Sequence, residues 1–210
     1  MNEENGFMSY LDRLVNTIHT TVLATVGSDG YPHTCAVDMM YYDERGLYFL
    51  TARGKSLYRR LMENGKVSIT GIKGEDTMSS VSITLVGEAE EVGSSHLDIL
   101  LKNNPYMLKI YQTEGSRKAL TVFRVFKGSG EWFDLSKSPI ERSSFEFGGM
   151  RKETSGYVIS DKCIGCGACP EVCPQNCIDR SSVPFRILEN NCLRCGCCAE
   201  VCPSSAVIRS

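Results

Sequence analysis

Short apolar runs separated by turn signals fill the first two thirds of the chain. Leu11, Leu14, Val15 and Ile18 recur at i, i+3, i+4 and i+7, which predicts a helix over residues 10–18. The texture then changes. The β-branched run TTVLATV predicts a strand over 20–26, and Ser28-Asp29-Gly30 is a hairpin turn signal. Residues 31–42 predict a second strand, Asp43-Glu44-Arg45-Gly46 a second turn, and 47–51 a third strand. Three strands joined by tight turns make an antiparallel meander. Leu57, Leu61 and Met62 mark the buried face of a helix over 57–64, stopped at Asn64-Gly65. Residues 66–72 and 79–91 predict two more strands, the second alternating at Val81, Ile83 and Leu85. Residues 94–111 have a helical pattern broken at Asn103-Asn104-Pro105, with Ser94 and Ser95 as cap residues. Residues 120–135 predict a sixth strand, or two with a bend at Gly128–Gly130. Six or seven strands with two small helices predict a mainly β fold, a compact antiparallel barrel and not an alternating βαβ sheet.

Beyond this region the pattern is polar. Residues 137–155, with Pro139 and Gly148-Gly149, read as an interdomain linker. Phe145 and Phe147 stand in it as exposed aromatics suited to docking on a domain or a second subunit. After Tyr157-Val158-Ile159 the cysteines take over. Cys163, Cys166, Cys169 and Cys173 precede Pro174; Cys192, Cys195, Cys198 and Cys202 precede Pro203. Each copy is C-x2-C-x2-C-x3-C-P, and residues 185–188 join them into an internal repeat with approximate twofold symmetry. A [4Fe–4S] cube takes four thiolates, and in this run the fourth cysteine ligates the other cluster. Cluster one then takes Cys163, Cys166, Cys169 and Cys202; cluster two takes Cys192, Cys195, Cys198 and Cys173. A zinc site calls for four ligands, not eight in two identical runs. The stretch resembles the bacterial two-cluster ferredoxin domain, a small α+β unit.

Composition narrows the function classes. The chain has 210 residues, 42% apolar and 23% charged, enough for one ordinary domain and a small one. A net charge of −2 gives no reason to expect nucleic acid or an anionic membrane as partner. The polar start, Met1 to Gly6, lacks the features of a signal peptide, and no apolar run is long enough for a membrane helix. These features predict a cytoplasmic protein. Cys35, Cys177 and Cys197 stand outside the two runs; free thiols fit a reducing compartment, and exposed clusters point to an anaerobe. There is neither a G-x-G-x-x-G after a strand nor a Walker motif.

The order TVLATVGSDGYPHTCAVDM, LYFLT, ARGKSLYRRLMEN resembles the pyridoxamine-5′-phosphate-oxidase-like flavin-binding split barrel, over residues 10–135. The resemblance divides the chain into an FMN-binding barrel (1–136), the linker (137–155) and the two-cluster domain (156–210). It implies a homodimer with FMN at the subunit interface. Thr51, Gly54, Lys55 and Ser56 ahead of a helix supply what a phosphate dianion needs: backbone N–H groups at a helix start, hydroxyls and a cation. The family implies Thr51, Lys55 and Ser56 for the FMN phosphate. It also implies His33, Thr34, Ala36, Val37 and Asp38 for the isoalloxazine ring, partly through backbone. Trp132 is a late-strand tryptophan of the kind found near the partner chain's flavin, or a core residue. Arg124 is a candidate second cation. No catalytic residue is assigned. Cys35 reads as a small apolar residue and Cys177 and Cys197 as non-ligands.

These readings converge on an FMN- and iron–sulfur-dependent oxidoreductase. Electrons would pass from two [4Fe–4S] clusters to FMN and on to a small organic acceptor, with a redox protein as donor. The alternative is a relay between protein partners with no small substrate. A third reading is a binding module, with a deazaflavin, a haem or no ligand in the barrel.

Overall fold

A computed structural model describes residues 6–151 and 156–210. They form two compact units. The first comprises 6–73, Ser82–Glu131 and 144–151; the second comprises Gly74–Val81, Trp132–Ser143 and 156–210. Among the described residues, no helix is long and apolar enough to cross a membrane.

In the first unit the chain enters as helix α1 (Gly6–Asp12), continues as a π-helical stretch, Arg13–Ile18, and turns at His19 into strand β1 (Thr20–Val26). The apolar stripe seats Leu11 and Leu14 fully in the core. Strand β2 (Pro32–Asp38) pairs antiparallel with β1, Thr25 opposite His33 and Thr21 opposite Val37. The expected second strand does not run on to Tyr42. It breaks at Met39-Met40, and the remainder, β3 (Tyr41–Asp43), pairs forward with β4 (Gly46–Ala52). The predicted meander is therefore two hairpins. The cause is burial: Met39 and Met40 are 0% and 3% exposed, so two consecutive side chains turn inward where a strand would send one out.

Helix α2 (Ser56–Asn64) ends on a left-handed Gly65, and β5 (Lys66–Lys73), β6 (Val81–Gly93) and β7 (Leu120–Asp134) complete the main path. The sheet order is β2-β1-β5-β6-β7-β4-β3. Its first and last strands are the two halves separated by Met39-Met40, so the sheet must curl until its ends meet, which makes it a barrel. Between β6 and β7 lie α3 (Leu97–Asn103), α4 (Met107–Ile110) and α5 (Glu114–Arg117), with the expected break at Asn104-Pro105. Ser94 and Ser95 do not cap α3. His96 stands at its N-terminus without a side-chain cap, while the Ser95 hydroxyl bonds back to the Val92 carbonyl.

Strand β7 is one strand with no second element at its glycines. The segment expected to be a linker contains an eighth strand of the sheet, β8 (Glu141–Phe147), paired with β7. Phe145 and Phe147 are buried, correcting their reading as exposed aromatics. Phe145 stacks on Tyr10 at 4.6 Å and Phe147 on Phe7 at 5.5 Å. Gly130 is what admits the first: a Cβ there would collide with the Phe145 ring, while Phe147 lies against Gly128. The last four residues of the expected linker, 152–155, lie outside the described residues.

The second unit has little regular structure. It holds β9 (Tyr157–Ile159), α6 (Ala168–Glu171), β10 (Ile178–Asp179), β11 (Arg186–Ile187), α7 (Cys197–Glu200) and β12 (Val207–Arg209). Strand β9 pairs with β12 and β10 with β11. The internal repeat is visible in the backbone: Gly167 and Gly196, and likewise Asn176 and Ser205, take matching left-handed conformations. Its core is made of Ile178, Phe185, Ile187 and Val207 packed with Cys169, Cys177, Cys192 and Cys198.

Candidate functional site

A cleft of about 420 Å³ opens in the first unit between β2, the end of β4 and α2, with α4 at its rim. Ala36, Val37 and Asp38 line it from β2, Thr51 from β4, and Lys55 and Ser56 from the start of α2. The helix has no side-chain cap at Lys55, so its first N–H groups lack that partner. Thr51 is 3% exposed, and its Oγ1 is buried with no hydrogen-bond partner. An orphaned hydroxyl beside a bare helix start is the local chemistry a phosphate ester completes.

Arg60 was not legible as a site residue in the sequence. It lies one turn into α2, lines the cleft and is 8% exposed. Its Nε donates to Thr25 Oγ1 at 2.7 Å. Among the described residues neither Arg60 nor Lys55 has a carboxylate partner. A buried guanidinium without an anion is costly, and a bound anion removes that cost. The two cations act on the cleft's interior. Burial pushes the Cys35 thiol up, and Arg60 and Lys55 pull against it. Arg124, by contrast, pairs with Glu90 and does not line the cleft.

Of the remaining predicted residues, Gly54 sits in the turn between Thr51 and Lys55. His33 and Thr34 lie toward the other end of β2 and are not lining residues; His33 Nε2 lies 3.1 Å from Asp29 Oδ2. Trp132 is buried in the second unit and is not part of this cleft's wall. Asp38 has the most developed surroundings. Tyr106 donates to its Oδ2 at 2.6 Å, Thr20 to its Oδ1 at 2.7 Å, and the Tyr106 hydroxyl also meets His19 Nε2 at 3.0 Å. Burial works to raise the Asp38 carboxyl, but the two hydroxyl donors outweigh it and hold it below the usual range. His19 and Tyr106, with Met107, Ile110 and Tyr111 at the rim, were missed because they reach this region through folding, not through a local motif.

The cysteine runs build the site of the second unit. Cys173, from the first run, lines one cavity with Cys192, Cys195 and Cys198 from the second. Around Cys169, after burial itself, the charges of Cys163, Cys166 and Cys202 raise the thiol. Each three-cysteine group thus has the other run's fourth cysteine beside it. At those fourth positions burial works to raise the thiol but is outweighed. Cys173 is held low by the N–H groups of Cys177, Gln175 and Asn176, and Cys202 by the Ser204 hydroxyl and the N–H groups of Ala206 and Val207. The Cys177 N–H lies 3.4 Å from Cys173 Sγ and the Ala206 N–H 3.2 Å from Cys202 Sγ. Donors of this kind favour the thiolate, the form that binds metal. Among the described residues no three His, Cys, Asp or Glu side chains converge on one metal position. In a cube each thiolate meets a different iron, so convergence is not required.

The family described as "Pyridoxamine 5′-phosphate oxidase" matches residues 10–131, and a 4Fe-4S dicluster domain matches residues 162–206. No curated protein matches the chain in sequence. Among solved structures, a NimC/NimA family protein from Clostridium acetobutylicum is similar at TM-score 0.57 and 22% identity, covering 69% of this chain and 94% of that one. A protein of the same organism, related to general stress protein 26 of B. subtilis, is similar at 0.50 and 18%, covering 70% and 96%. A heme binding protein from Mycobacterium smegmatis is similar at 0.50 and 16%, covering 70% and 58%. At these identities the likeness is one of fold.

Proposed function

The chain belongs to the pyridoxamine 5′-phosphate oxidase family and carries a 4Fe-4S dicluster domain, and from that premise we propose an FMN- and iron–sulfur-dependent oxidoreductase with a small organic acceptor. FMN, when bound, handles electrons singly or in pairs, and a [4Fe–4S] cube handles them singly. The chain's own part is binding, orientation and electrostatics. Thr51, Gly54, Lys55 and Ser56 would hold the FMN phosphate, with Arg60 as the buried second cation. Ala36, Val37 and Asp38 would flank the ring, with His33 and Thr34 further along the same strand. Asp38, kept ionised by Tyr106 and Thr20, fixes a negative charge at that end of the cleft. Cys163, Cys166, Cys169 and Cys202 would hold one cube, and Cys192, Cys195, Cys198 and Cys173 the other.

The observation that carries the flavin reading is the partnerless Thr51 Oγ1, set in a cleft with two cations that lack carboxylates. The homodimer belongs to the same proposal, with Trp132 near the partner chain's flavin. A cleft open at its rim, with Met107, Ile110 and Tyr111 beside it, favours an enzyme over a closed relay.

The test is anaerobic purification, an absorption spectrum, acid release of flavin and iron analysis. About eight iron atoms with one FMN per chain supports the proposal. Eight iron with a deazaflavin, a haem or no barrel ligand overturns the flavin assignment. Reduced protein that passes electrons to no small acceptor, but readily to a redox protein, selects the relay.

A further inference from the structure

Cys177 is buried, lies outside both four-cysteine runs and yet lines the cavity shared by Cys173, Cys192, Cys195 and Cys198. Its Sγ is 3.5 Å from Cys173 Sγ, and Cys192 lines the same cavity. The backbone locks it there: its N–H points to Cys173 Sγ, and its carbonyl accepts from Leu188 N at 2.7 Å. A cluster-bound cysteine is a thiolate and has no proton to give, so in any S–H···S contact here Cys177 is the donor. The repeat supplies an internal control. Asn176 and Ser205 share one backbone conformation, and the residues after them, Cys177 and Ala206, both aim their N–H at the fourth cysteine of their run. Ala206 is fully buried and its methyl group donates nothing. At that run the side-chain donor is a different residue, Ser204, whose Oγ lies 3.6 Å from Cys202 Sγ and which is only half-buried.

Hydrogen bonds to the sulfurs are among the levers that set a cluster's potential, because they stabilise the more negative, reduced state. We propose that Cys177 is a positioning residue: a non-ligand thiol that donates to the sulfur of Cys173, raises the potential of the cluster that Cys173 holds, and so separates it from the other. The inference rests on the two-cluster ligation proposed above.

The test uses the full-length protein, purified anaerobically as wild type, Cys177→Ala and Cys177→Ser, with iron analysis and an EPR-monitored redox titration. All three should hold about eight iron. In Cys177→Ala one midpoint should fall by roughly a tenfold shift in the reduced-to-oxidised ratio, about 59 mV for a one-electron couple, and the other should stay. Cys177→Ser, which keeps a donor, should restore most of the shift. Eight iron with both midpoints unmoved, or both moved alike, overturns the inference alone. A loss of about four iron in Cys177→Ala overturns it by making Cys177 a ligand. Wild-type protein with only about four iron overturns the two-cluster ligation, and the inference with it.

Discussion

At the scale of single residues, the end of the cleft proposed for the phosphate drew on residues of two kinds. Thr51, Lys55 and Ser56 stand beside a helix start in the sequence, and a turn before a helix announces its free N–H groups. Arg60 gave no such signal, because an arginine in an amphipathic helix ordinarily faces water, and only folding shows that this one is buried on Thr25. Lys55→Ala and Arg60→Met should each weaken FMN binding, by about 1.5–3 kcal/mol for a lost charged hydrogen bond, a tenfold to hundredfold rise in Kd on titration of the apoprotein. An unchanged Kd for either variant removes that residue from the site. Asp38 makes a separate prediction about acid stability. Its carboxyl is held below its unfolded value, so its contribution is present above the unfolded pKa and is lost as pH falls through the folded one. Asp38→Asn should therefore be less stable than wild type at pH 7, with the gap closing below about pH 4. Urea midpoints at the two pH values measure this, and a gap that persists in acid would assign the loss to something other than charge.

At the scale of elements, period-2 and period-3.6 patterns located most strands and the helix α2 within a residue or two. Of the features that escaped, two show why. The break between β2 and β3 lies inside an unbroken apolar run, where periodicity carries no information. Strand β8 is hidden in a polar segment because only alternate residues, Phe145 and Phe147, face the core. Its seat depends on Gly130. Gly130→Ala should cost about 1–3 kcal/mol by overpacking against the Phe145 ring and the Thr84 carbonyl oxygen, read as a lower urea midpoint with an unchanged slope; full stability would mean that both the ring and the neighbouring strand give way freely. The crossed pairing of the cysteine runs predicts a pattern of non-additivity. Cys173→Ala combined with Cys198→Ala should lose no more iron than either alone, since both would strip one cube. Cys173→Ala combined with Cys169→Ala should strip both. The reverse pattern would assign each run its own cluster.

At the scale of the molecule, the two halves were legible to very different degrees. Ten of eleven cysteines fall after residue 160, and their spacing is itself the ligand pattern, so the second unit could be read with almost no knowledge of its fold. The cleft proposed for the barrel's cofactor is lined from β2, β4 and α2, and its meaning depends on the sheet closing. The proposed assembly adds a prediction for the complete chain: light scattering should give twice the chain mass of 23.3 kDa, and a stable monomer that retains FMN would remove the need for a partner subunit.

The second unit is not a tail. It includes Trp132–Ser143, and from that segment the Ile140 N–H bonds to Gln175 Oε1, the Ile140 carbonyl accepts from Asn191 Nδ2, and Arg142 Nε bonds to the carbonyl of Cys192. Severing the chain near residue 156 would thus leave a fragment with every cluster cysteine but without the strap that ties its two runs together. The start of the cysteine-rich sequence and the boundary of the compact unit lie in different places. Recombination that exchanged the cysteine-rich tail for that of another protein, as one exchanges beads on a string, would have to carry a piece of the middle of the chain with it.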